Sequence, residues 1–142
     1  MKHQELIDAI TKVAEDNGWS VFVEEVTRWN SETRKSESIG DVVSFEFRQR
    51  SEADQDFSFS VEMTDGDVET LIEKMSDYYE GYDPDEEAML WAGPDGHGKN
   101  GAPYRLSDII KDMEQCEEMV RDLLYAIEDA NRKGEFDELE EE

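Results

Sequence analysis

DVVSFEFRQRSEADQDFSFSVEMT, residues 41–64, is the stretch that decides the fold. Val43, Phe45 and Phe47 alternate with Ser44, Glu46 and Arg48, and Phe57, Phe59, Val61 and Met63 alternate with Ser58, Ser60 and Glu62. A period of two sends successive side chains to opposite faces of a pleated strand, so each run has an apolar and a polar face. Joined by RSEADQD, the two runs predict an antiparallel hairpin buried on one side and wet on the other. Such a sheet needs apolar cover, and the flanking sequence supplies helices.

Upstream, Leu6, Ile7, Ile10, Val13 and Ala14 recur at helical spacing over residues 3–17, and Gly18 stands where a helix C-terminal glycine belongs. Trp19–Thr27 alternates Trp19, Val21 and Val23 with Ser20, Phe22 and Glu24, a strand apolar on both faces near its start. The polar stretch RWNSETRKSESIG, residues 28–40, predicts a long hairpin loop whose Arg28, Arg34 and Lys35 belong to the only basic cluster in the chain.

Downstream, Val68, Leu71, Ile72, Met75 and Tyr79 form the apolar stripe of a helix from about Asp67 to Glu80, with Thr64, Asp65 or Asp67 as its cap and Gly81 as its stop. Asp83-Pro84 starts a second, short helix with Asp85, Glu86 and Glu87 at its positive dipole end; Ala88, Met89, Leu90 and Trp91 finish it. After the loop GPDGHGKNGAP, Ser107 caps a final helix. There Ile109, Ile110, Met113, Cys116, Met119, Val120, Leu123, Leu124 and Ile127 keep a three-four spacing to about Asn131, and Lys133-Gly134 ends it. The order is α-β-β-β-α-α-α: an α+β fold with a three-stranded antiparallel meander, helices packed on it and a long C-terminal helix. The expected organisation is one acidic domain over 1–133 and a flexible acidic tail over 134–142.

The chain has 142 residues, 14 bases against 39 acids, a formal charge of −25 and a pI near 4.2. Apolar residues at 37%, with three Trp, five Tyr and six Phe, argue for a folded chain rather than a disordered one. So large an acidic excess repels nucleic acid and anionic membrane surfaces and attracts basic protein grooves. The plainer alternative is that acidity only keeps the protein in solution. One cysteine, Cys116, forbids an internal disulfide, no apolar run reaches membrane-spanning length, and the N-terminus MKHQELIDAI lacks a signal-peptide core. A cytoplasmic location follows as the default expectation.

The charge is concentrated in DGDVETLIEKMSDYYEGYDPDEE, residues 65–87, where acids at 65, 67, 69, 73, 77, 80, 83, 85, 86 and 87 face one base, Lys74. Glu69, Glu73, Asp77 and Glu80 follow at spacings that put them on one helix face, with about 6 Å of rise for each four residues. Like charges so placed oppose the helix by a few tenths of a kcal/mol per pair, so the row is not there for stability. Tyr78 or Tyr82, if exposed beside these acids, would serve as binding anchors, while Tyr79 and Trp91 fit the core.

Catalytic signatures are missing. Residues 93–100 nearly spell a phosphate-binding loop, but Asn100 cannot replace the magnesium-binding hydroxyl, a helix precedes the segment and Pro103 blocks an immediate helix after it. A turn-rich connection or a partner-contact loop suits the segment better. Asp83, Asp85 and Glu87 match the start of a calcium loop, yet Ala88 and Pro94 stand where its glycine and glutamate belong. His3 and His97 have no metal-ligand companions, and Cys116 reads as a packed thiol. No enzyme activity, cofactor or metal is expected.

The segment FSFSVEMTDGDVETLIEKMSDYYEGYDPDEEAMLW, preceded by the helix QELIDAITKVAEDN and the strands around Val21 and Phe45, resembles the small acidic type II-A anti-CRISPR proteins that imitate DNA. That likeness spans roughly residues 4–91; the glycine-rich loop and the final helix lie outside it. Over residues 68–130 the chain is also similar to uncharacterised acidic proteins of phages and mobile elements in gut bacteria. The first resemblance implies inhibition of an RNA-guided nuclease by occupation of its duplex-binding groove, where base-reading arginines are natural targets for carboxylates.

The resulting expectation is a non-enzymatic decoy for a basic nucleic-acid-binding protein. Glu69, Glu73, Asp77, Glu80, Asp83, Asp85, Glu86 and Glu87 stand in for phosphates, and Tyr82 serves as an anchor. The alternative is a protein–protein module or homodimer built on apolar residues of the long final helix; the sequence leaves monomer or homodimer open.

Overall fold

The computed structural model describes residues 3–51, 56–91 and 105–137. The elements run α1 (Gln4–Asp16), β1 (Ser20–Asn30), β2 (Lys35–Arg50), β3 (Asp56–Thr64), α2 (Val68–Gly81), α3 (Pro84–Trp91) and α4 (Leu106–Arg132). The strands form one antiparallel meander in the order β1-β2-β3. Register pairs Val21 with Phe47 and Phe47 with Phe59, then Val23 with Phe45 and Phe45 with Val61, so the apolar positions coincide across all three strands. This is the α+β architecture that the alternating runs predict. Among the described residues, no helix is long and apolar enough to cross a membrane.

The helices lie on the apolar face. Leu6, Ile7, Ile10 and Ala14 of α1, Val68, Leu71 and Met75 of α2, and Val120, Leu123, Leu124 and Ile127 of α4 enclose Val43, Phe45, Phe47, Phe59, Val61 and Met63. Trp19, 3% exposed, meets Phe47, Phe57 and Phe59 edge-on, an arrangement that aromatic quadrupoles favour. A second cluster of Tyr82, Ala88, Ile109, Met113 and Cys116 joins α3 to the first half of α4. At 27 residues, α4 is about 40 Å long and serves both clusters, one with each half.

The passage from β3 into α2 is fixed by a compact knot. Asp65 and Gly66 both adopt left-handed backbone, at φ 56° and 64°, and the Asp65 amide donates to the Asp41 carbonyl at 2.8 Å. The Asp41 carboxylate meets His3 Nε2 at 2.6 Å, and the His3 ring lies where a Cβ on Gly66 would stand. The Asp67 side chain accepts the Glu69 amide at 3.0 Å and caps α2, while Thr70 Oγ1 accepts the Thr64 amide and donates to the Asp67 carbonyl.

Three boundaries differ from those expected. The predicted loop at 28–40 is mostly strand: Asn30 pairs with Lys35, Trp29 with Ser36 and Arg28 with Glu37, and only Ser31–Arg34 turns. Trp29 and residues 31–37 are exposed, so this arm shows no apolar alternation. Its ladder is supplemented by Asn30, whose side chain accepts the Glu32 amide and donates to Glu37. The cap of α4 is Arg105 rather than Ser107, because half-buried Leu106 already packs on the second cluster as the first helical residue. The predicted flexible tail is anchored over its first part: Gly134, at φ 78°, turns the chain back, the Glu135 amide donates to the Ala130 carbonyl, and Phe136 is 2% exposed within the main core. The loop at 93–103 and residues 138–142 lie outside the described residues.

Two stability measurements check these assignments. Phe136→Ala is expected to lose about 3 kcal/mol in urea unfolding, whereas Asp137→Ala, on the exposed side of the same turn, changes stability by less than about 0.5 kcal/mol. Gly66→Ala is expected to lose at least about 1–2 kcal/mol from left-handed backbone strain alone, with a further loss from displacing the His3 ring.

Candidate functional site

The knot at Asp65–Asp67 aims α2 so that one side rests on β3 and the other faces water. Val68, Leu71 and Met75 are buried, Ile72 and Tyr79 are half-buried, and Glu69, Glu73, Asp77 and Glu80 are exposed. At 100° per residue the four acids fall within an arc of about 80°, opposite the buried stripe. The sequence-predicted row is therefore one continuous ridge.

At Gly81 the helix ends, and Tyr82 takes an extended backbone at φ −77°, ψ 126°. This swing carries the Tyr82 ring inward, contrary to the expected role as an exposed anchor. Tyr82 is 9% exposed, its hydroxyl donates to the Met113 carbonyl at 3.0 Å, and burial pushes its phenol far above the ordinary range. Tyr78, the other candidate anchor, is half-buried and stacks on Phe59 with ring centroids 4.8 Å apart. Burial first, then the Glu87 and Cys116 charges, raise its phenol to about 12. Both tyrosines are packing residues that tie the α2–α3 junction to β3 and α4. The Trp91 side chain lies outside what the structure describes.

Beyond the junction stands a second group of acids. Asp83 Oδ1 accepts the Asp85 amide at 3.0 Å and the Glu86 amide at 3.5 Å, so the aspartate-proline start caps α3 as the sequence predicts. Asp83, Asp85 and Glu86 are exposed. Glu87 is not among them: it shares the inner face of α3 with Pro84 and Ala88 and turns into a cleft of about 180 Å³. The cleft is lined by Asp56, Phe57, Ser58, Tyr78, Glu87, Met113 and Cys116. Burial, with the neighbouring Glu86 carboxylate second, raises the Glu87 carboxyl above the usual carboxylate range. Cys116, fully buried, has its thiol pushed up to about 12 by burial and then by Asp112 and Glu87, so it stays protonated at neutral pH.

None of the ridge acids pairs with a base among the described residues; the ion pairs lie elsewhere, at His3–Asp41, Lys12–Asp16, Arg48–Glu46, Arg50–Asp56, Arg121–Asp122 and Asp129 with Arg132 and Lys133. No group of three or more metal-ligating side chains occurs among the described residues. Two residues on the outward face of α3 escape the sequence reading. Met89 and Leu90 are 61% and 66% exposed, one turn past Asp85 and Glu86 on the same outward face. Their signal was available: an eight-residue helix that turns Pro84, Glu87 and Ala88 inward must turn positions 85, 86, 89 and 90 outward.

Comparison with protein-family models, with curated proteins and with solved structures finds no match for this chain.

The burial of Glu87 carries a pH signature. A carboxyl raised in the folded state binds its proton more tightly there than in the unfolded chain, so stability falls as pH rises from the ordinary value of 4.5 through the folded one. Glu87→Gln should therefore melt higher than the parent at pH 7, with the difference shrinking as pH approaches 4. Paired thermal melts at the two pH values test this, and a lower melting temperature for the variant at pH 7 contradicts it.

Proposed function

We propose that this chain is a non-enzymatic acidic binding protein that occupies the basic groove of a nucleic-acid-handling protein in place of nucleic acid. The carrying observation is the exposed carboxylates: Glu69, Glu73, Asp77 and Glu80 form a ridge along α2, Asp83, Asp85 and Glu86 follow at the start of α3, and no described base is paired with them. The charge density has the right scale. Along α2 one carboxylate recurs every 5–6 Å or so, against one phosphate per ~3.4 Å of axis on a nucleic-acid strand, and the three acids of the α3 start narrow the gap. Arginines and lysines that bind phosphates accept carboxylates by the same charge-assisted hydrogen bonds. An RNA-guided nuclease belongs to this partner class, and the resemblance to DNA-imitating anti-CRISPR proteins favours it.

A helix-packed homodimer has less to stand on. The apolar stripe of α4 is buried against the sheet and the other helices, and Tyr125 is the large apolar side chain that helix leaves exposed among the described residues.

The test begins with capture of basic proteins from native-host extract at low salt, followed by titration with one purified partner. Affinity is expected to fall steeply between about 50 and 200 mM salt, and excess duplex DNA or RNA should displace the chain. The triple variant Glu73→Lys, Asp77→Lys, Glu80→Lys should keep its circular-dichroism spectrum and lose binding by at least 100-fold. If that variant binds as the parent does, the ridge is not the contact surface.

A further inference from the structure

Glu87 sits apart from the ridge in a way that suggests a separate task. Its carboxylate lines the cleft between β3, α3 and α4, and no described base pairs with it. The Tyr78 ring beside it is held by stacking on Phe59, and Phe57 adds a second aromatic wall fixed edge-on to Tyr82. Asp56 stands at the mouth, already engaged by Arg50 at 3.2 Å, so Glu87 is the cleft acid left to a ligand. One helical turn before Cys116, Asp112 is 5% exposed and neither carboxylate oxygen has a hydrogen-bond partner. Its charge acts on the Cys116 thiol that lines the cleft, so it lies close enough to add to the local negative potential. The neighbourhood is thus negative, partly dry and walled by aromatic faces.

Those features select a ligand class. A half-buried carboxylate without a partner carries a desolvation cost, and a cation brought to it offsets that cost. Aromatic faces attract organic cations. A guanidinium group is planar, weakly hydrated and able to bond a carboxylate through two parallel hydrogen bonds while lying against a ring. A metal ion suits the site poorly, since Cys116 stays protonated and no three-ligand group is assembled among the described residues.

We propose that the cleft lined by Glu87, Tyr78 and Phe57 is a guanidinium-binding site that receives one arginine side chain of the basic partner. The inference rests on the decoy reading for the origin of that arginine, but not for the chemistry of the cleft. In the complex the ridge supplies long-range attraction through many exposed charges, and the cleft supplies a single desolvated contact that fixes the register. Such a contact is the kind that dominates an interface, because water does not compete for it.

The test uses the full-length protein, isotope-labelled and followed by nuclear magnetic resonance. The probes are N-methylguanidinium chloride and acetyl-arginine amide, each compared with sodium chloride at equal ionic strength. Expected are saturable shifts centred on Tyr78, Glu87 and Cys116, and a downward move of the Glu87 carboxyl titration when the cation is present. Glu87→Gln should abolish the saturable component, and Glu86→Gln, on the exposed side of the same turn, should leave it intact. Acetyl-arginine amide should bind at least as tightly as the bare ion; binding of the bare ion alone overturns the assignment to a protein side chain. Shifts that grow linearly, spread along α2 and survive Glu87→Gln overturn the site altogether. None of these readouts depends on Glu73, Asp77 or Glu80, so failure of the cleft and failure of the ridge are separable.

Discussion

Seating Val68, Leu71, Met75 and Tyr78 on the sheet is what keeps the carboxylates of α2 in line. An isolated 14-residue helix with four acids on one side is marginal in water, and mutual repulsion makes it worse. The apolar side supplies the missing free energy: burying a large aliphatic side chain contributes about 1.5–3 kcal/mol, several times the opposing pairwise repulsion. Helix orientation and the line of the acids both follow from that one contact surface.

Packing alone does not fix where the helix begins. The Asp41–His3–Gly66 knot does so by joining the N-terminal helix, the central strand and the turn at a single point. Two consecutive left-handed residues leave the chain little choice of direction, and the Asp67 cap sets the first turn. At the other end, the swing at Tyr82 and the cap at Asp83 start α3 at once. The ridge is therefore followed directly in the chain by a second helix start, whose own dipole favours the acids placed there.

The sheet was legible because its inner face is apolar at every second residue from Val43 to Phe47 and from Phe57 to Met63, and the register aligns those positions. The helices were legible from the same kind of contrast. Legibility failed where that contrast vanished. Residues 28–30 and 35–38 pair through their backbones, and Trp29 and residues 35–37 are exposed, so no apolar alternation marks a strand. Phe136 is one aromatic in an acidic run, and only the left-handed turn at Gly134 brings it home. Of the nine candidate binding residues, Glu69, Glu73, Asp77, Glu80, Asp83, Asp85 and Glu86 are exposed as helical spacing requires. Tyr82 lies just past the helix end, where periodicity no longer says which way a ring points, and Glu87 is drawn inward by its neighbour Ala88.

The arm formed by the far ends of β1 and β2 differs in kind from the rest of the sheet. Beyond the irregularity between Glu25 and Thr27, no third strand and no core residue accompanies it among the described residues, and Trp29 is 62% exposed. A two-stranded ribbon of this sort is barely self-supporting, so its amides should trade hydrogen for deuterium long before those of Phe45 or Phe47. The molecule consequently has a stiff end and a pliant end: the negative helices ride on the stiff one, and the pliant one, with Arg28, Arg34 and Lys35 against Glu32 and Glu37, carries none of the negative excess.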